Sequence, residues 1–418
     1  MSRSIFSQNR LTLRLLSLVI LLAVALLSET AFSGEYSGAR SVHRWNQLAL
    51  DLAVKYRLNP LRVARALAVL HLAMDGAVST TAYWNTNSDL YEVAAGAAAG
   101  TVLDHLFPRE TPGRFAAMAW ADLHLATASG IDQATARAAW RAGEAGAGRV
   151  IAHALRDDSD LVWDPRNRPK AAPGSWHPAP PLNVYDPVEP LAARWVTWIL
   201  KNGAEVEPPP PVSYGTPEYW REAEEVFEIS RVLTPEQKRS AEDWNLDLGS
   251  ITPAGVWNLK ARELIETERF DTRQATRVLA ALNLALADAA VASWHAKFTY
   301  WTQRPVTAIR ERYAPDWLPY VLTPAFPSYV STHATLSGAA ARLLAAFFPA
   351  ASDELEAAAA EAAMSRLYGG IHFRSDNDAG LALGRGVANL ILRRLFADNP
   401  NQLLSRDRLG PLFDPTRL

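Results

Sequence analysis

Apolar residues recur at three- and four-residue steps through most of this chain, the repeat that lines one face of an α-helix. From Ser41 to Leu155 it runs through Trp45, Leu48, Leu52 and Val54, then from Leu61 to Ala77, then from Phe115 to Ala126. The breaks carry helix punctuation: Asn59-Pro60 starts one helix, Phe107-Pro108 ends another and Gly130 separates two more. Beyond these, helices are predicted over 217–230, 235–245, 256–265, 271–300, 334–347, 352–368 and 376–396. The alanine-rich run from Glu354 to Met364 falls inside one of them, as expected of the best helix former. Alternating β-branched stretches of the kind strands need are scarce. The predicted fold class is all-α, with one helical bundle over 34–160 and a second over 218–418.

The connecting segment 161–217 reads differently. It holds Pro165, Pro169, Pro173, Pro178, Pro180, Pro181, Pro187, Pro190 and the run Pro208 to Pro211, a density that prevents long helices. Trp163, Trp176, Trp195 and Trp198 are more apolar than a solvated linker would be, so an ordered wrap is expected.

Residues 1–33 have the layout of a secretory signal peptide: Arg3, Arg10 and Arg14, an apolar run from Leu15 to Leu27, then Ala31-Phe32-Ser33 before Gly34. A secreted or periplasmic protein is the expectation. An uncleaved anchor is the alternative, against which the run is shorter than the ~20 residues a span needs. No other stretch is expected to cross a bilayer, so no stable membrane span should remain after signal removal.

Composition narrows the chemistry. With 49% hydrophobic and 21% charged residues, the 418-residue chain can bury one large core or two fused ones. The formal charge is −2, and losing three arginines and one glutamate with the signal makes it −4, so nucleic acid is not an expected partner. There is no cysteine, which excludes disulfides, thiolate metal sites and a cysteine nucleophile.

Three motifs carry candidate chemistry. The first is Lys297-x6-Arg304-Pro305 at the end of the long helix from Asp271. Seven residues make two helical turns, so both cations are expected on one face, where they repel unless an anion lies between them or each faces solvent. The second is Ser331-Thr332-His333, where an irregular Pro/Ser stretch enters a helix from about Ala334. Helix-start N–H groups favour an anion there, although Ser331 or Thr332 acting as a plain N-cap is equally in keeping with the pattern. His333 adds an imidazole able to exchange protons near neutral pH. The third is Ser365-Arg366-x5-His372-x3-Asp376. Gly369-Gly370 is expected to break the helix between Arg366 and His372, and Asp376, one turn after His372, can hold one imidazole nitrogen. Four specified residues put chance occurrence on the order of 1 in 400.

In order and content these motifs resemble the signature of the vanadium haloperoxidase and type 2 phosphatidic acid phosphatase superfamily, over roughly residues 235–395. More loosely, Trp45-Asn46, the helix through His71 to Asp75, the Pro-rich wrap and Trp257-Asn258 resemble bacterial secreted haloperoxidase-like members. The resemblance implies that Lys297, Arg304, Ser331 and Arg366, with the Thr332 backbone N–H, bind the oxyanion oxygens. His333 is then the acid/base, and His372 the group bonded to phosphorus or to the vanadium of vanadate. The family usually has Pro-Ser-Gly-His where this chain has Val330-Ser331-Thr332-His333. Thr332 can still donate its N–H but is expected to direct a β-branched side chain toward the pocket.

Two activities follow from the resemblance. As a haloperoxidase, the protein would use vanadate as cofactor with hydrogen peroxide and a halide as small-molecule substrates, Lys297 polarising the peroxide. As a metal-independent acid phosphatase it would need no cofactor and would hydrolyse a phosphomonoester or lipid phosphate through His372. Trp294 and Phe326 resemble positions lining the halide pocket of chloroperoxidase-like members, whereas ordinary core packing is the common use of such rings. A divalent-metal site at His372, Asp376 and Asp378 would leave Lys297, Arg304 and Arg366 without a purpose. A helical scaffold or carbohydrate binder with exposed tryptophans is the third class. His43, His71, His105, His124, His153, His177 and His295 are read as core or surface residues.

Overall fold

The computed structural model describes residues 38–157, 159–396, 404 and 410–413; the signal expected over 1–33 lies outside them. The fold is all-α, as the periodicity predicts. The first five helices are α1 (Arg40–Lys55), α2 (Pro60–Trp84), α3 (Ser88–Leu106), α4 (Arg114–Ala128) and α5 (Gln133–Ala154). After the wrap come α6 (Pro217–Arg231), α7 (Pro235–Asp243), α8 (Thr252–Thr267), α9 (Thr272–Tyr300), α10 (Pro305–Arg312), α11 (Thr332–Phe347), α12 (Ser352–Tyr368) and α13 (Arg374–Phe396). Among the described residues there is no strand, only one isolated bridge between Ser175 and Thr302.

Local chemistry starts the helices where the sequence marks them. Asn59 caps α2 by accepting from the N–H groups of Leu61 and Arg62, with Pro60 in the first turn where a missing N–H costs nothing. Asp271 and Gln274 form a reciprocal capping box at the start of α9. That helix is apolar nearly all round because it is central, packing on α2 from the first set and on α11 and α13 from the second. It also corrects one expectation: α9 has the length and apolar composition of a membrane span. Its apolar window is wholly buried in protein, so it is a core helix. Residues 39–418 form one compact unit, whose core runs from Trp45 and Leu67 through α9 to Leu344 and Ile391. The two predicted sets of helices share that core.

The wrap is ordered and fastened to α9 and its neighbours. Trp176, Trp195 and Trp198 are buried. The N–H groups of Trp198, Ile199 and Leu200 converge on the buried carboxylate of Asp288 in α9, at 2.7, 2.9 and 2.9 Å. Further along, the Trp176 N–H donates to the Trp301 carbonyl, and the Val188 N–H to that of Ala325, at 2.7 and 2.9 Å. The wrap thereby holds both loops that flank the second motif's approach.

Candidate oxyanion site

Lys297 stands in the last turn of α9, fully buried, and its Nζ donates to the carbonyls of Pro327 and Ser328 at 2.9 and 2.8 Å. The expectation that Arg304 shares its helix face is not met. Trp301 adopts a left-handed conformation, φ 51°, which ends α9, and Arg304 is the residue that precedes α10. The two cations converge because the chain reverses, and α10 itself was absent from the sequence prediction. Arg304 donates through Nε to the Phe326 carbonyl at 2.9 Å and through one terminal nitrogen to the Ile371 carbonyl at 2.8 Å. That nitrogen also lies 3.0 Å from His372 Nε2, while the other terminal nitrogen is buried without an acceptor. Arg366, in the last turn of α12, donates to Ser365 Oγ at 2.9 Å and to the Ala241 carbonyl at 3.0 Å. Burial pushes Arg304 and Arg366 each down to about 9, and drives Lys297 well below the usual lysine range, with Arg304 adding to the effect.

Gly369 closes α12 and Gly370, at φ 76°, reverses the chain, so the predicted Gly-Gly break is present. It delivers His372 to the mouth of α13, where Nδ1 meets Asp376 Oδ2 at 2.9 Å. The same oxygen accepts from Ser328 Oγ at 2.6 Å and from the Phe373 N–H at 3.1 Å. Three donors on one oxygen fit the ionised carboxylate, an acceptor only. Burial pushes Asp376 upward, opposed by the Ser328 hydroxyl, Lys297, the Phe373 N–H and Arg304. Nδ1 of His372 therefore carries the hydrogen, and Nε2 presents its lone pair. Burial, then Arg304 and Lys297, hold this imidazole far below the usual histidine range.

His333 lies in the first turn of α11, and its Nε2 donates to the Trp244 carbonyl at 3.1 Å. Burial and then Arg366 keep it neutral, with Nδ1 left as the basic atom. Ser331 is the N-cap of α11, accepting weakly from the Ala334 N–H at 3.5 Å, which leaves its hydroxyl hydrogen to donate elsewhere. Thr332 departs from expectation: its hydroxyl lies 3.2 Å from Ser293 Oγ on α9. Ser293 gives its own hydrogen to the Ala290 carbonyl at 2.9 Å, so Thr332 is the donor and its hydroxyl is anchored to the α9 wall.

Trp294 and Phe326 come together beside the cations. Their ring centroids are 4.9 Å apart, Lys297 Nζ is 5.1 Å from the Phe326 centroid, and the Arg304 guanidinium carbon is 4.8 Å from it. All the motif residues thus lie on one set of converging loops and helix ends. Asp378 does not join them; it is exposed, and among the described residues no three His, Cys, Asp or Glu side chains are placed to hold a metal ion. Of the other histidines, His43, His71 and His153 are buried, and His105, His124 and His177 are exposed. Sequence reasoning missed Ser328 and the carbonyls of Ala241, Trp244, Phe326 and Ile371. Ser328 had a faint signal as a small polar residue in the Pro/Ser stretch; a carbonyl has none.

Chemically, this is a helical protein in which three buried cationic side chains gather around an unprotonated imidazole nitrogen, an arrangement suited to a tetrahedral oxyanion. Residues 277–356 and 351–397 match the family model described as the VCPO second helical-bundle domain. The fold is similar to a bacterial vanadium-dependent iodoperoxidase, at 22% identity over 87% of this chain and 98% of that one, with a TM-score of 0.73. It is similar also to a bacterial vanadium-dependent chloroperoxidase in its apo form, at 19% identity over 80% and 94% of the two chains, with a TM-score of 0.62. The holo form of a bacterial vanadium-dependent chloroperoxidase gives 18% identity over 80% and 92%, with a TM-score of 0.59. No curated protein matches the sequence significantly. The family match covers the second set of helices, and the fold as a whole is similar to that of bacterial vanadium-dependent haloperoxidases.

Proposed function

We propose that this protein is a vanadate-dependent haloperoxidase, converting hydrogen peroxide, a halide and a proton to hypohalous acid and water. The observation that carries the oxyanion part of the reading is the second terminal nitrogen of Arg304, and the likeness in fold to vanadium-dependent haloperoxidases favours vanadate over phosphate. That nitrogen is a buried donor without an acceptor on the same guanidinium that touches His372 Nε2. An oxyanion bonded at that nitrogen would supply the missing acceptor, so the residues fit vanadate. His372 would hold it through Nε2, with Asp376 keeping the hydrogen on Nδ1. Lys297, Arg304 and Arg366 would neutralise its oxygens, assisted by the Ser331 hydroxyl and the Thr332 N–H. His333 Nδ1 is the atom that would take up a proton from an incoming hydroxyl and return it later. Trp294 and Phe326 would exclude water and border the halide. When bound, vanadate supplies Lewis-acid activation of hydrogen peroxide.

The test assays protein freed of divalent cations, before and after orthovanadate loading, for peroxide-dependent bromide and iodide oxidation and for phosphomonoester hydrolysis. The expected outcome is halide oxidation that requires vanadate, is inhibited competitively by phosphate and gains nothing from zinc or magnesium. Hydrolysis of the ester by protein that never oxidises halide would replace this reading with a metal-independent phosphatase working through His372.

A further inference from the structure

We propose that Ser293, on α9, is a positioning residue that holds the Thr332 side chain away from the oxyanion and keeps the Thr332 backbone N–H aimed at it. The proposal rests on the oxyanion reading of the site and adds to it a residue outside the three motifs.

Both residues are buried, Ser293 completely. The Ser293 hydroxyl gives its one hydrogen to the Ala290 carbonyl at 2.9 Å, so toward Thr332 it can only accept. The Thr332 hydroxyl therefore donates across 3.2 Å to Ser293 Oγ. With that hydrogen committed to α9, the hydroxyl has none left for an anion. Thr332 is also the first residue of α11, so its N–H has no acceptor within the helix. The N–H is thus the donor that Thr332 has left for a negative charge.

Threonine needs a fixed partner at this position because of its shape. Its β-carbon carries both a methyl and a hydroxyl, and a helical threonine divides between two χ1 rotamers according to where its hydroxyl bonds. Glycine would have no side chain to hold back. The surroundings reinforce the observed orientation. Ser293 and Lys297 stand four residues apart on α9 and share a face. Lys297 donates to the carbonyls of Pro327 and Ser328 at 2.9 and 2.8 Å, so α9 grips the segment 327–332 at both ends. Between those ends α13 fastens Ser331, whose N–H donates to the Asp376 carbonyl at 2.9 Å. A Cβ on Gly380 would lie only 2.6 Å from the Ser331 carbonyl oxygen, so α13 leaves that junction little room to shift. Removing the Ser293 oxygen leaves the Thr332 hydroxyl buried without its acceptor. The side chain then divides between rotamers, and the N–H is no longer held in one direction.

The experiment measures binding of inorganic phosphate and of orthovanadate by calorimetry to the parent protein, Ser293→Ala, Thr332→Gly and the double variant. Ser293→Ala should weaken phosphate binding by about 3- to 10-fold, the effect of losing one hydrogen bond of ordinary strength. In the Thr332→Gly background, with no side chain to hold, the same change should alter affinity by less than about twofold. A merely structural role would weaken binding equally in both backgrounds. Nitrogen-15 threonine labelling gives a second readout. The Thr332 amide signal, identified by its absence from Thr332→Val, should move when phosphate is added to the parent and move less in Ser293→Ala. Should Ser293→Ala not fold, Thr332→Val keeps the side-chain shape without the hydroxyl and should show the same loss of affinity. Parent-like or tighter phosphate binding in the folded variant overturns the proposal, as does an equal loss in the glycine background or a Thr332 amide signal that does not respond to phosphate in the parent. Failure of the oxyanion reading looks different: the parent then binds neither anion, and the role of Ser293 falls with it.

Discussion

His372 is buried and His333 half-buried, both neutral imidazoles beside three cations, yet their hydrogen bonds give them different chemistry. His372 donates to a carboxylate and turns Nε2 toward Arg304, whereas His333 donates to the carbonyl of Trp244. A carboxylate partner stabilises the positive charge that develops when Nε2 forms a bond; a carbonyl does so less, which suits a group that takes and returns a proton. His372→Ala should abolish stoichiometric vanadate and phosphate binding. It should also destabilise the fold by about 1–3 kcal/mol, because the Asp376 carboxylate stays buried with one donor fewer. His333→Ala should keep anion binding while turnover falls by roughly 10²- to 10⁴-fold. Calorimetric binding alongside steady-state turnover checks both, and the opposite pattern would exchange the two roles.

At the scale of elements, the pocket depends on how closely α11 and α13 approach. The Ser331 N–H at the start of α11 donates to the Asp376 carbonyl in the first turn of α13 at 2.9 Å. A Cβ placed on Gly384 would lie 2.0 Å from the Thr335 carbonyl oxygen and 2.7 Å from the Ala339 nitrogen, both backbone atoms. Gly384→Ala must therefore spread the two helices, at an expected cost of about 1–3 kcal/mol or more, with weaker phosphate binding as Ser331 and Asp376 separate. Gly148→Ala in α5 is the control, since a Cβ there meets nothing within 4 Å. It should stabilise by about 0.5–1 kcal/mol through helix propensity alone. Denaturant unfolding of the two variants distinguishes close packing from propensity; equal effects would mean the α11–α13 contact is looser than described.

For the whole molecule, buried histidines govern the response to acid. Burial and then Arg262 lower His43 to about 4 and His71 to about 3, and His333 and His372 are likewise held well below their usual value. Each has a folded pKa below its unfolded value of about 6.5, so below that pH the unfolded chain binds more protons and stability falls as pH drops. The slope is about 1.4 kcal/mol per pH unit for each such histidine until its folded pKa is reached. Asp122 and Asp288 oppose this: burial raises both to about 6, so the folded state binds the extra proton between about pH 6 and pH 4. His105 and His153 are lowered too, and Asp104, Glu222, Glu266 and Asp376 are raised. The loss of stability that the imidazoles cause from about pH 6.5 down to about pH 4 is therefore partly offset by the carboxyl groups. Urea midpoints measured across that range should decline; a rise toward acid would show that the buried imidazoles are already charged in the folded protein.

The sequence by itself determined the all-α class, the order of the helices apart from α10, several of their caps and the side chains of the three motifs. Those features are local: a repeat along one helix face, an Asn-Pro or Asp-x-x-Gln at its start, a Gly-Gly at its end. The motif residues were legible because their types are those the proposed oxyanion site would need. Tertiary structure alone decided how they meet. Arg304 reaches the pocket because the chain turns at Trp301, an αL residue that helical periodicity does not reveal. Thr332 is anchored by Ser293, Arg366 by Ala241 and Asp376 by Ser328, partners 39, 125 and 48 residues away. The Arg366 contact, like those of Lys297, Arg304 and His333, ends on a carbonyl oxygen, which every residue possesses, so residue identity cannot announce it. Which carbonyl faces which cation is fixed only when the helices that share the α9 core have packed.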